Sequence, residues 1–167
     1  MANALTVPHA VAAAVLCVAG LAKLHAPAPA ARAVGAVPAA VRAFALLELA
    51  LGVWALLSAG RLSSALMAAL YGAFAGLTIA LWRRGRSCGC FGSERAPASP
   101  IQSLVSGALA LLGAVCAVAS VHPVAWISGR SPGSVAVLVL GISAAVYGTV
   151  LAYSELPLLW QSWRPAA

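Results

Sequence analysis

Apolar residues fall in five long runs along the chain, separated by short segments of proline, glycine, serine and arginine. The runs cover roughly 5–23, 40–58, 62–82, 101–121 and 134–153. Each approaches the ~20 residues that a helix needs to cross a hydrocarbon core about 30 Å thick. The separators carry helix-breaking or charged residues. The pattern predicts an all-α fold, a polytopic transmembrane bundle of four to five helices. It makes one domain of residues 1–167, with a polar loop at 83–100.

The links differ in character. The first, "KLHAPAPAARAVGAVPAA", holds three prolines and is expected to be the least helical. The second, "SAGRLSS", reads as a tight turn, and "HPVAWISGRSPGS" as a short loop. In the tail "SELPLLWQSWRPAA", Trp160 and Trp163 suit a segment lying at the membrane interface. Spans such as "ALMAALYGAFAGLTIA" and "SLVSGALALLGAVCAVAS" suit close helix packing. Lipid supplies no hydrophobic drive between helices, so small residues that let backbones approach are what hold them together.

Composition removes the soluble alternatives. The 167 residues are 63% hydrophobic and 8% charged, with mean hydropathy +0.99. A soluble domain carries about 25% charged residues, so the solvent implied here is a lipid bilayer. No basic residue precedes the first apolar run, and the first span is expected to be a retained helix rather than a signal peptide. Nine arginines against one lysine, with abundant alanine, fit a GC-rich bacterial genome and hence a bacterial plasma membrane. The net charge of +7 is not accompanied by any aromatic-basic stretch, so no nucleic-acid partner is expected. It reads instead as loops held at the cytoplasmic face or near anionic headgroups. With five crossings, the face opposite the N-terminus carries Lys23, Arg32, Arg42, Arg83, Arg84, Arg86, Arg95 and Arg164, against Arg61 and Arg130 on the other. The positive-inside rule then puts the 83–100 loop on the cytoplasmic side.

That loop, "RRGRSCGCFGSERAPASP", carries the candidate chemistry. Cys88 and Cys90 flank Gly89. Residues two apart have α-carbons about 5.5–7 Å from each other, near the upper limit for a disulfide. Glycine widens the accessible backbone angles and favours closure of the ring. A ring of that kind would be exchangeable rather than a structural staple. Arg83, Arg84, Arg86 and Arg95 lie close in sequence, and guanidinium charge favours the thiolate that attacks in thiol–disulfide exchange. The chemistry suggested is dithiol–disulfide exchange with a partner protein. The competing readings are an ordinary reduced pair and a metal site. Only His25 would join the two thiols from the same face, short of the four ligands of a closed zinc site, so no metal is expected. No cofactor is evident either, and a version that hands electrons to a quinone finds no pocket marked in the sequence. Cys17 and Cys116, lone thiols in apolar helices at different depths, read as packing residues.

Glu48 is the only acid within any span. A carboxylate there requires a partner. Lys23, ending the first helix on the same face, is the first candidate and Arg42 the second. Without Glu48, Lys23 would extend to the headgroups. Two readings stand side by side: a proton-handling or helix-locking pair beside the thiols, and a purely structural bond.

Taken in order, "GLAKLH", "LLELALGVW" and an arginine-rich helix end leading into "CGCFG" make the chain resemble the MauE branch of the DoxX-like redox-associated membrane proteins. The similarity spans roughly residues 15–115. The resemblance implies a bundle of four to five spans and a part in methylamine metabolism. It also implies maturation of the disulfide-rich small subunit of methylamine dehydrogenase, alongside a thioredoxin-like or disulfide-containing partner. Carried over residue by residue, Cys88 and Cys90 would be the redox pair, and Lys23 and Glu48 the family's polar helix positions. Many relatives carry an amide or basic residue early in the helix after the motif, where this chain has Ser103, Ser106 and Gly107. Maturation of an exported enzyme implies chemistry on the outer face, whereas the arginine count places the thiols inside. The function expected is that of a thiol–disulfide oxidoreductase or maturation factor. A soft-metal-ion carrier and a non-catalytic membrane assembly subunit are the alternatives.

Overall fold

Proline opens most of the helices, because at the first helical position its fixed φ is already helical and its missing N–H would have had no partner. In the computed structural model, which describes residues 2–58, 60–89, 98–119, 121, 127 and 129–162, α1 runs Ala2–His25 and α2 Pro27–Val34. They are followed by α3 Pro38–Leu57, α4 Arg61–Arg83, α5 Pro100–Ala119, α6 Pro132–Ser154 and α7 Leu156–Ser162. Four of the seven begin on a proline. Five helices, α1, α3, α4, α5 and α6, are long and apolar enough to cross a membrane. The described residues form an all-α bundle, as the spacing of apolar runs predicts.

One link departs from expectation. The proline-rich segment after α1 is not the least helical but holds α2. Pro27 and Pro29 both fall in the first turn of α2, where no intrahelical N–H bond is lost, and Pro38 opens α3. Gly35 then ends α2 in the left-handed conformation at φ 71°, its N–H bonded to Ala31 O. The N–H of Ala36 reaches the same carbonyl at 2.9 Å, closing the helix end in the way that favours glycine. Of the tail, α7 is described, while Trp163 and the Trp160 side chain lie outside the described residues.

The closest packing is α1 against α3 and α4 against α5, with α1 also touching α5 and α6. Small residues set these approaches. A β-carbon added at Gly52 would lie 2.6 Å from Cys17 Sγ and 2.9 Å from Ala13 O. One at Gly113 would lie 3.0 Å from the Ala68 backbone nitrogen. Cys17 is therefore a packing residue between α1 and α3, and it is a free thiol, as is buried Cys116. Gly52→Ala forces α1 and α3 apart at backbone level, and overpacking of this kind destabilises by about 1–3 kcal/mol. Thermal unfolding in lipid nanodiscs should show a lower midpoint than the parent, whereas Gly72→Ala, which meets nothing within 4 Å, should leave it unchanged.

At the end of the bundle nearest the N-terminus, His9 Nε2 lies 3.2 Å from Ala55 O and ties α1 to α3. On α6 only Val146 and Tyr153 are buried. Its one polar anchorage in the interior is at Tyr153, whose hydroxyl lies 2.6 Å from Ser106 Oγ and whose carbonyl accepts from Gln102 Nε2 at 2.8 Å.

Candidate functional site

The buried residues of α3 are Val41, Ala45, Glu48, Gly52 and Ala55. Their alternating spacing of four and three draws one stripe down the helix, and Glu48 stands in the middle of it. The stripe faces α1, so an acid on it is sealed from lipid. Lys23, in the last turn of α1, meets it: Nζ donates to both Glu48 oxygens at 2.8 Å. The side chains are 7% and 0% exposed. Lys23 thus bends inward to the acid rather than extending to the headgroups, while Arg42 is exposed on α3.

Aromatic rings close over the pair. Lys23 Nζ sits 5.2 Å from the centroid of the Phe74 ring, within range of attraction to the ring face. Phe74 in turn meets Phe44 and Tyr71 edge-on, with centroids 6.1 and 6.2 Å apart. Tyr71 donates its hydroxyl proton to Ala12 O at 2.6 Å, fixing α4 to α1. Lys23, Tyr71, Ser106 and Tyr153, together with Phe74 and apolar residues of α1, line a cavity of about 20 Å³. That is room for one water molecule.

The two-cysteine loop is built from the end of α4. Arg84 and Gly85 turn the chain, Gly85 at φ 64°, and the N–H of Arg86 returns to Leu81 O at 3.0 Å. The N–H of Ala98 donates to Arg86 O at 3.0 Å, so both ends of the loop lie side by side. Cys88 is buried, 5% exposed, and packs with Ala33, Leu81 and Ala98. It takes part in a disulfide. Gly89 has φ 62°, and a β-carbon on it would lie 2.8 Å from the Ala30 nitrogen and the Pro29 carbonyl carbon. The loop therefore rests directly on the backbone of α2, the helix made by the proline-rich link. Arg86 Nη1 donates to Ala33 O at 3.4 Å, at the C-terminal turn of α2, where a cation is favoured by the helix dipole. Arg83 and Arg84 are exposed. Cys90 and Arg95 lie outside the described residues.

These parts meet around a second cavity of about 230 Å³, with Lys23, Phe44, Phe74, Leu77 and Cys88 in its wall. The disulfide-bonded cysteine and the lysine of the buried ion pair thus border the same space. The model of one protein family, methylamine utilisation protein MauE, matches residues 1–121. The chain belongs to the MauE family. The match takes in α1 to α5 and the whole 83–100 loop, and α6 and α7 lie beyond it. No curated protein and no solved structure shows a significant match to the chain.

Gln102, in the first turn of α5, is a polar residue that the sequence does not single out beside Ser103, Ser106 and Gly107. Gln102 Oε1 accepts from the Ser99 N–H at 3.1 Å, and Ser99 Oγ accepts from the Gln102 N–H at 3.4 Å. This is a reciprocal helix-start box, and the pattern Ser-x-x-Gln at 99–102 is its visible signal. Its amide nitrogen continues to Tyr153 O, so it joins the loop exit to α6. Tyr71, Phe74 and Tyr153 were also unmarked in the sequence, since an aromatic residue in an apolar span carries no local sign of what it faces. Among the described residues, no three of His, Cys, Asp and Glu come together as a metal site would require.

Proposed function

We propose that this MauE-family membrane protein exchanges disulfides with a partner protein through Cys88 and Cys90, the two forming the disulfide in which Cys88 takes part. The observation that carries the reading is Cys88 itself: disulfide-bonded, buried, and held in a loop pressed on α2 beside an intramembrane ion pair. A thiolate of the partner attacks one sulfur and forms a mixed disulfide, and the other sulfur leaves as a thiolate. A second partner thiol then displaces the first sulfur. The partner gains a disulfide and this protein holds a dithiol; the reverse sequence returns both. Because Cys88 is buried, attack from the aqueous side falls on Cys90. The partner class is a thioredoxin-like or disulfide-containing protein, a methylamine dehydrogenase subunit being the example the family description suggests. The membrane is a bacterial plasma membrane, with the loop on the cytoplasmic side by the arginine bias.

The test uses the two single variants in the native membrane. Cys88→Ser and Cys90→Ser each lack the disulfide that the partner thiolate attacks, so neither is trapped as a mixed disulfide with the reduced partner, and both lose partner maturation. If both variants mature the partner at the parental rate, the exchange reading is wrong. After reduction, a membrane-impermeant maleimide labels Cys90 in inverted vesicles and not in intact cells; the opposite pattern reverses the orientation and leaves the exchange chemistry standing.

A further inference from the structure

We infer that the cavity between Cys88 and Lys23 is a binding site for the ring of a lipid-soluble quinone, the electron acceptor that restores the disulfide. The inference rests on the exchange reading above, since it supplies the oxidant that a protein turning dithiols into disulfides requires.

Four observations point to this class of ligand. The first is position. One side of the cavity is Ala40, Phe44, Phe74 and Leu77, on the transmembrane helices α3 and α4, and the other is Ala30 and Val34 of α2. Phe44 is 40% and Leu77 37% exposed, which leaves open surface on helices long and apolar enough to cross a membrane. On a membrane-spanning helix that surface is lipid, so what enters here comes from the bilayer.

The second is size. At about 230 Å³ the cavity lies below the ~300–1,000 Å³ of pockets that enclose drug-sized ligands. A single substituted ring fits, and its tail stays in the lipid.

The third is the polar content. The lining is apolar apart from Lys23 and Cys88. The Lys23 ammonium has three protons, and Glu48 occupies its two nearest acceptor positions at 2.8 Å. One donor is left for an acceptor such as a ring carbonyl. A cation fixed by a buried carboxylate is also placed to stabilise negative charge as that carbonyl is reduced, and stabilisation of this kind is strong where water is excluded.

The fourth is the sulfur. Cys88 is shut off from the aqueous side yet lines the cavity. The two cysteines then divide the work, with Cys90 meeting the protein partner and Cys88 the ring.

The balance closes without a further reactant. The Cys88 and Cys90 S–H bonds break and one S–S bond forms. Two electrons pass to the ring, and two protons end on its two carbonyl oxygens, giving a quinol that leaves through the lipid.

The test compares the purified full chain in lipid nanodiscs with Ala40→Trp and Leu77→Trp. These fill the cavity from α3 and α4 and leave Lys23, Glu48 and both cysteines in place. Each protein is reduced, desalted and mixed with decylubiquinone, a fully substituted ring that does not add thiols directly. Parallel samples receive glutathione disulfide, a water-phase oxidant. Quinol absorbance and disulfide formation are followed together. The parent forms quinol and disulfide in equal amounts. Filling the cavity slows the quinone reaction at least about tenfold, equivalent to about 1.4 kcal/mol, and leaves the glutathione reaction near the parental rate.

If the parent reacts with glutathione disulfide but not with decylubiquinone, the cavity holds lipid chains only and the inference falls while the exchange reading stands. The inference also falls if both tryptophan variants keep the parental quinone rate. If the parent reacts with neither oxidant, the exchange reading fails and takes the inference with it.

Discussion

Glu48→Leu alone is expected to destabilise the protein by about 3–5 kcal/mol, and adding Lys23→Met should recover most of that loss. Removing one member of a buried ion pair strands the other charge in a medium that cannot solvate it, and this accounts for the size of the single-variant effect. Replacing both by apolar residues of similar volume removes the desolvation penalty together with the attraction, so the double variant lies near the parent. Lys23 is in the last turn of α1 and can partly reach the headgroups once Glu48 is gone, so Lys23→Met, which strands Glu48, should be the worse of the two single changes. Unfolding by SDS titration in mixed micelles measures all four corners of the cycle. Equal stability of parent and Glu48→Leu would show that the pair contributes nothing. The double variant also separates two roles. A purely structural bond predicts restored partner maturation along with restored stability. A pair that acts on the chemistry predicts a stable protein whose dithiol is not reoxidised.

Gly89→Ala should release Cys88 from its packing and raise its alkylation rate in the reduced protein by at least about tenfold, the change produced by ~1.4 kcal/mol in the opening equilibrium. Two costs coincide at this position. An alanine held at φ 62° is strained by roughly 1–2 kcal/mol. Its β-carbon would also press on the backbone of Pro29 and Ala30 at 2.8 Å, which no rotamer change relieves. Gly85 has nearly the same backbone angle, φ 64°, but open space around it. Gly85→Ala thus carries the first cost without the second, and should move the Cys88 rate much less. Timed iodoacetamide labelling of the two reduced variants makes the comparison. Equal rates would mean that contact with α2 does not hold the loop.

Much of this was readable before any coordinates. Five spans follow from the ~20 residues that a bilayer demands, and a lone acid inside one of them had to find a cation. Lys23 was the nearest on that face, and it is the partner found. The reading failed where residue type was taken without position. Pro27 and Pro29 look like breakers of the first link, yet in the first turn of a helix they break nothing. Gln102 was overlooked beside Ser103 although Ser-x-x-Gln before an apolar run is a helix-start signal. The cavity had no local sign at all. Apart from Lys23 and Cys88 its wall is alanine, valine, leucine and phenylalanine from α2, α3, α4 and the link between α2 and α3, residues that look alike whether they face lipid, another helix or a ligand. Only their meeting in space gives them meaning.

The fifth span has a different kind of consequence. It lies beyond the family match, and Val146 and Tyr153 are its only buried residues, so packing within the bundle constrains little of its length. Nearly every other position on it can drift among apolar residues without disturbing the bundle. Tyr153 cannot, because its hydroxyl pairs with Ser106 in the interior, whereas the bond from Gln102 is to its backbone carbonyl and does not depend on the side chain. The last span is in this way tied to the bundle by one side chain while remaining free at most other positions.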